Sequence, residues 1–290
     1  MSLEDSVGIL LQCVKNGNLE AEKAKGQDVV IFIGNTGAGK STTINYLYGC
    51  TMEQKSPKEL GIKGFDKVIV VKSKKDGGVF DELMRIGHSK SSMTFMPQVE
   101  KDERNMLTYV DCPGFLDNRG AEINIANAVN IKNTVNLSKS AKVIMLINYH
   151  SLKSDRGRGL ADMLKISSDL FSSTKNLIKN KRSILIGISN APTDMDFESL
   201  REWLLEDNLE GINELKDCVF TFDPLDRKIE GGWNRNEILA KICSLRPITE
   251  KIFKTVLTTE DEAKLIGISA QIGKRIEDKL KSPKPTVYYS

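Results

Sequence analysis

Short apolar runs punctuate this sequence at regular intervals as far as Pro247. The first, DVVIFIG from Asp28, is rich in β-branched residues and shows no polar alternation, as expected of a strand buried on both faces. Similar runs occupy 66–71, 106–111, 142–148, 183–189 and 218–222. Between most of them apolar residues recur at helical spacing, which predicts helices over 39–49, 120–139, 158–180, 197–207 and 235–244. Strands alternating with helices predict an α/β fold whose doubly wound, mainly parallel sheet is covered on both sides.

The interval 51–105 breaks this rhythm. It holds one strand-like run, several Gly and Ser residues, and helical spacing only over 79–86, so most of it reads as loop. At the N-terminus Val7, Leu10, Leu11 and Val14 predict an amphipathic helix over 6–25 that ends near Gly26 and packs on the main domain. Beyond Pro247 the strand signals stop. Thr259 with Glu262 three residues later is a capping-box pattern, opening a helix that runs to about Lys281 with Ile266, Ile268 and Ile272 in its apolar stripe.

Composition adds exclusions. Of 290 residues, 40% are hydrophobic and 28% charged, enough to bury a sizeable core. Lys+Arg number 42 against 39 Asp+Glu, a net charge of +3, which makes no electrostatic case for nucleic acid. Basic runs at 72–75 and 179–182 read as solvated faces. Five scattered cysteines lack metal-ligand spacing and predict free thiols in a reducing compartment. The two histidines, His88 and His150, are far apart, which argues against a histidine metal site or a Ser-His-Asp triad. No apolar stretch approaches the ~20 residues of a membrane span. The N-terminal run is preceded by acids, unlike a signal peptide. A cytoplasmic protein without an integral membrane segment is expected.

Between the first strand and the helix after it lies Gly34-Asn35-Thr36-Gly37-Ala38-Gly39-Lys40-Ser41, which fits G-x-x-x-x-G-K-[ST] at every fixed position. Glycines let successive backbone N–H groups turn inward at a helix N-terminus, forming an anion nest. Lys40 offers a compact cation to β- and γ-phosphates, and the Ser41 hydroxyl is a Mg²⁺ ligand candidate. Asn35, Thr36, Gly37, Ala38, Gly39, Lys40, Ser41 and Thr42 are thus the candidate phosphate-binding residues. The chain accordingly divides into an N-terminal helix (1–26), a P-loop nucleotide-binding domain (27–247), a C-terminal helical segment (248–281) and a tail (282–290).

A second acidic motif narrows the class. Asp111 ends an apolar strand, where it can hold Mg²⁺ through water, and Gly114 of Asp111-Cys112-Pro113-Gly114 can offer its N–H to the γ-phosphate. A transporter ATPase would want an Asp-Glu pair after this strand and an LSGGQ-like signature, and neither is present. On GNTGAGKSTTIN and DCPGF, over about residues 28–225, the chain resembles the translation-factor-related GTPases, in particular their septin, immunity-associated and dynamin-like branches. That resemblance implies a Mg²⁺-dependent GTP/GDP switch and a homodimer or oligomer across the nucleotide face. It also implies a switch threonine closing over Mg²⁺ and γ-phosphate. Thr94 in GHSKSSMTFMPQ is the candidate for this catalytic and metal-binding place, with Ser91 and Ser92 as rivals.

Two departures from the family pattern matter. Where relatives carry N/T-K-x-D for guanine, this chain reads Asn190-Ala191-Pro192-Thr193, with Asp194 one residue late. Asp223, Asp226 and Arg227 follow the next strand, at the sheet edge where ligands bind in open α/β folds. Asn190, Asp194 and Asp226 are the base-binding candidates, and ATP stays open. Phe115 stands where small GTPases often place a water-orienting Gln. Asp117, Asn118 and Arg119, and Arg156 or Arg158 further on, are possible helpers, in cis or across a dimer. The expectation is a nucleotide switch that binds and slowly hydrolyses GTP. The alternatives are an ATP-specific P-loop ATPase and a non-hydrolysing, nucleotide-bound assembly module.

Overall fold

The computed structural model describes residues 3–64, 67–72, 82–86, 96–114, 121–153, 158–206 and 209–281. Helix α1 (Leu3–Lys23) leads into β1 (Asp28–Gly34), the phosphate loop and α2 (Lys40–Tyr48). Strands β2 (Met52–Lys55), β3 (Val68–Val71), β4 (Gln98–Asp102) and β5 (Leu107–Asp111) follow, then α3 (Ala121–Leu137) and β6 (Ser140–Asn148). After α4 (Tyr149–Lys153), α5 (Arg158–Leu170) and α6 (Thr174–Lys179) come β7 (Ile184–Ser189), α7 (Phe197–Glu206), α8 (Ile212–Leu215), β8 (Val219–Thr221), α9 (Arg235–Ser244) and α10 (Thr259–Lys281).

Six strands form one sheet in the order β4-β5-β1-β6-β7-β8. Within it β5, β1, β6, β7 and β8 run parallel, and β4 is an antiparallel edge. The continuous apolar runs explain the layering, because alternate residues of one strand enter different cores. Val29, Ile31 and Ile33 of β1 join the core that contains Ile131 of α3, Leu164 of α5, Leu177 of α6 and Leu200 of α7. Val30 and Phe32 join the opposite core with Ile44 and Leu47 of α2 and Ile238 and Ile242 of α9. Each such buried side chain contributes about 1.5–3 kcal/mol. The expected doubly wound α/β architecture is what the chain forms.

The irregular interval holds more strand than its pattern suggested. The run at 66–71 was expected among the sheet strands, yet β3 pairs antiparallel with β2 in a separate ribbon. Strand β4 was not expected at all: Gln98-Val-Glu-Lys-Asp buries only Val99 and Asp102. Buried Asp102 closes the turn into β5, accepting from the Asn105 N–H at 3.2 Å and the Asn105 side-chain amide at 2.6 Å. At 82–86 there is no helix; instead the Asn45 carboxamide of α2 grips that segment, accepting from the Leu83 and Met84 N–H groups and donating to the Met84 carbonyl.

Helical spacing over 158–180 gives two helices instead of one. The break falls at Ser172, whose φ is +73°, after which Ser173 caps α6 through a bond from the Asn176 N–H. The last capping box sits one residue earlier than the sequence pattern placed it. Thr258 Oγ1 accepts from the Asp261 N–H and Asp261 accepts from the Thr258 N–H, both at 3.1 Å. Before α10 the chain bridges Ala141 through Ile248 and packs Phe253 against Phe171. It thereby delivers α10 beside α3, where Lys264 meets Glu122 at 3.2 Å. All five cysteines are free. Among the described residues no helix is long and apolar enough to cross a membrane.

Candidate functional site

The parallel register carries β1 and β5 to the same edge of the sheet, with Phe32 beside Asp111. The chain leaves β1 at Gly34 and turns through the phosphate loop into α2. Gly37 and Gly39 have φ of +80° and +82°, left-handed conformations that side-chain-bearing residues rarely hold, so the loop needs glycine there.

Nearly every carbonyl of the loop is tied down. Lys40 Nζ donates to the carbonyls of Gly34 at 2.9 Å and Asn35 at 3.1 Å. Asn148 donates to the Gly37 carbonyl, Ser189 Oγ to the Ala38 carbonyl at 2.8 Å, and Thr43 Oγ1 to the Gly39 carbonyl. Asn148 and Ser189 end the neighbouring strands β6 and β7, so the sheet itself props the loop. Neither was singled out from sequence. A lone polar residue after an apolar run is the only signal they give.

Ser41, in the first turn of α2, donates its hydroxyl to Asp111 Oδ2 at 2.5 Å. Asp111 is fully buried, and its Oδ1 has no hydrogen-bond partner among the described residues. Burial pushes its carboxyl above the ordinary carboxylate value, against the pull of the Lys40 ammonium and the Ser41 hydroxyl. The buried Asn35 Oδ1 is likewise unpartnered among the described residues. Buried polar atoms are normally satisfied, so these two mark a place arranged for something further. One hydroxyl and one carboxylate form an oxygen donor set suited to Mg²⁺, which usually keeps several waters. Among the described residues no cluster of three or more His, Cys, Asp or Glu forms a denser cage.

Gly114 lies hard against the loop. A Cβ there would sit 2.4 Å from Thr36 Oγ1 and 2.5 Å from the Thr36 nitrogen. The two sequence motifs are therefore in contact, with the segment after β5 lying across the loop's second residue. Thr42, next to Ser41, is half-buried in the same helical turn.

The base-binding candidates lie on two loops after β7 and β8. Asn190 is exposed, with φ of +55°, and Ala191 is buried. Asp194 is exposed. Asp196, not Asp194, caps α7, accepting from the Glu198 and Ser199 N–H groups. Asp223 is buried and turned inward, accepting from the Leu225 N–H and from Arg227. Asp226, with φ of +56°, accepts from the Tyr46 hydroxyl at 2.7 Å, and the Arg235 guanidinium lies 4.6 Å from the Tyr46 ring centre. Tyr46 and Arg235 were missed from sequence, because nothing local links Tyr46 to Asp226, 180 positions away, or to Arg235. Thr94, its rivals Ser91 and Ser92, the Phe115–Arg119 stretch and Arg156 lie outside the described residues, and of Arg158 only the helical backbone is described.

No family model matches the chain, and no curated protein matches it. Among solved structures, a dimerization-deficient mutant of Toc33 from Arabidopsis thaliana shares 11% identity over 85% of this chain and 96% of that one, with a TM-score of 0.44. The signal recognition particle receptor SRb-GTP/SRX complex from Chaetomium thermophilum shares 14% identity over 68% of this chain and 89% of that one, with a TM-score of 0.36. The strand order, the antiparallel β4 edge and the glycine loop between β1 and α2 give this chain a P-loop fold of the G-domain kind.

Proposed function

We propose that this chain is a Mg²⁺-dependent switch that binds a nucleoside triphosphate, GTP in preference to ATP, and hydrolyses it slowly. The observation that carries the reading is the Ser41–Asp111 pair with its orphaned carboxylate oxygen, set beside a glycine loop whose carbonyls are already bonded. With those carbonyls engaged, the loop's backbone N–H groups, apart from that of Ala38, which donates to the Asn35 carbonyl, are proposed to meet phosphate oxygens. Lys40 neutralises phosphate charge, moving from the carbonyls of Gly34 and Asn35. Ser41 and Asp111 hold Mg²⁺, and Gly114 follows the γ-phosphate. Mg²⁺, when bound, supplies charge stabilisation to the phosphates. Thr94 is proposed as the switch residue completing the catalytic and metal set.

Base selection rests on the loops around Asn190, Asp194 and Asp226. Asp194 stands one residue beyond the usual place of the guanine-reading Asp and is exposed, free to turn towards a base, and this supports GTP. Buried Ala191 in place of the usual Lys supports the rival reading, an ATP-using P-loop ATPase, because no lysine stem covers the base. Identifying the nucleotide released from heat-denatured purified protein separates the two, with guanine nucleotide expected and adenine nucleotide overturning the choice. Turnover of radiolabelled GTP tests hydrolysis. A bound nucleotide that is never turned over would leave the chain an assembly module instead. Self-association across the nucleotide face and a cytoplasmic site of action belong to the same proposal.

A further inference from the structure

Bordering Pro113 and Gly114, a cavity of about 370 Å³ opens between α3, α5 and the chain entering α10. Its walls are two matched helical stripes. Asn124, Asn127, Ala128 and Ile131 lie at i, i+3, i+4 and i+7 of α3, and Asp162, Lys165, Ile166 and Asp169 stand at the same spacing on α5. Val256, Leu257 and Glu262 supply the third side, and Pro113 and Gly114 the floor towards the phosphate loop.

Asn127 is the unusual member. It is only 5% exposed, and neither its carboxamide oxygen nor its nitrogen has a hydrogen-bond partner among the described residues. A buried carboxamide with both ends open fits a group that presents N–H and C=O side by side, as an amide does. Carboxylates of Asp162, Asp169 and Glu262 outnumber the single ammonium of Lys165, so the lining favours a cation. The N-terminus of α10 does not reverse this, because its first turn carries the acids Glu260, Asp261 and Glu262. Ile131, Ile166 and Val256 leave an apolar strip suited to a methylene stem. The volume is near the lower end of ligand pockets, roughly 300–1,000 Å³.

We propose that this cavity is a binding site for a small amide-bearing cation, with the size and chemistry of one lysine residue and its flanking peptide group. The amide meets Asn127, the stem lies along the isoleucines, and the ammonium sits among the acids of α5 and Glu262. Because Pro113 and Gly114 continue from Asp111, occupancy is linked to the nucleotide state, and linkage of this kind is reciprocal. That link, unlike the site itself, rests on the proposed nucleotide reading.

The test is a titration of the full, isotopically labelled, nucleotide-free chain with Nα-acetyl-lysine methylamide, followed by NMR. The expected result is saturable shifts that include the Asn127 side-chain amide. Nα-acetyl-norleucine methylamide, which lacks the ammonium, is expected to bind at least fivefold more weakly. Asn127→Ala and a combined Asp162→Asn, Asp169→Asn variant should each weaken the probe at least fivefold. The second changes only polar positions on α5, so it serves even where the first fails to fold. No saturable shift up to the probe's solubility overturns the site, as does equal binding of the norleucine analogue. Repeating the titration with GDP and with a non-hydrolysable GTP analogue should change affinity at least threefold. Equal affinities there overturn the link alone. A chain that binds no nucleotide sinks the nucleotide reading while the first titration still decides the site.

Discussion

Ser41 and Asp111, seventy positions apart in the chain, share a hydrogen bond of 2.5 Å at the base of the phosphate loop. The carboxylate is fully buried, and burial raises its pKa above the ordinary value. A carboxylate shifted that way destabilises the fold progressively as pH rises from its ordinary value through its raised one. Asp111→Asn is therefore expected to stabilise the nucleotide-free protein in EDTA at neutral pH, by on the order of 1 kcal/mol or about 2–4 °C. The same variant should lose the Mg²⁺ dependence of nucleotide binding. A lowered melting temperature in EDTA would contradict the account of the buried charge.

Lys40→Ala removes the cation that spans the Gly34 and Asn35 carbonyls. Triphosphate affinity should fall at least a hundredfold, roughly 3 kcal/mol, with circular dichroism unchanged. Wild-type affinity in a folded Lys40→Ala protein would sink the nucleotide assignment. Ser41→Ala should act through Mg²⁺, so its defect should shrink when binding is measured in EDTA.

Gly114→Ala should force the segment after β5 away from Thr36, because its Cβ would fall 2.4 Å from Thr36 Oγ1. Overpacking of this kind costs about 1–3 kcal/mol, and here it should appear as weakened triphosphate binding. Gly187→Ala, whose Cβ would meet Leu146 and Phe220 in the core, provides the contrast. It should lower the melting temperature and leave the affinity of the remaining folded protein unchanged. Similar affinity losses in both variants would show that Gly114 has no special relation to the loop.

Guanine preference should be moderate. Asp194 is exposed, whereas Asp226 is engaged by Tyr46, so Asp194→Ala should reduce the GTP-over-ATP affinity ratio more than Asp226→Ala does. Competition of each nucleotide against a fluorescent GTP analogue measures both ratios. Equal wild-type affinities for GTP and ATP would favour the ATPase reading.

Hydrolysis should be slow at low protein concentration and rise in specific activity with concentration. Phe115 supplies no amide to orient water, while an arginine brought from a second copy is worth ~10³–10⁵ in rate. Specific activity over a hundredfold concentration range, with light scattering in GDP and in a GTP analogue, measures this. Constant activity from a monomer in both states would remove the dimer mechanism.

The sheet and its loop were legible because strands buried on both faces must be largely apolar without alternation, as in the VVIFIG of β1. Strand β4 was not, since an edge strand whose one apolar residue is Val99 looks like loop. The capping box slipped by one residue because Thr258 and Thr259 are each followed three residues later by an acid, and only geometry chooses between Asp261 and Glu262. The supports under the loop, Asn148 and Ser189, and the Tyr46–Asp226–Arg235 cluster depend on strand order, which no local pattern encodes.

The bonded carbonyls of the phosphate loop have a thermodynamic consequence. Lys40, Asn148, Ser189 and Thr43 fix the loop's shape before any ligand arrives. Its conformational entropy is lost when the sheet assembles, not when phosphate docks. The heat-capacity change measured on nucleotide binding should then report little folding of the loop itself, and any large negative value must come from other segments closing around the ligand.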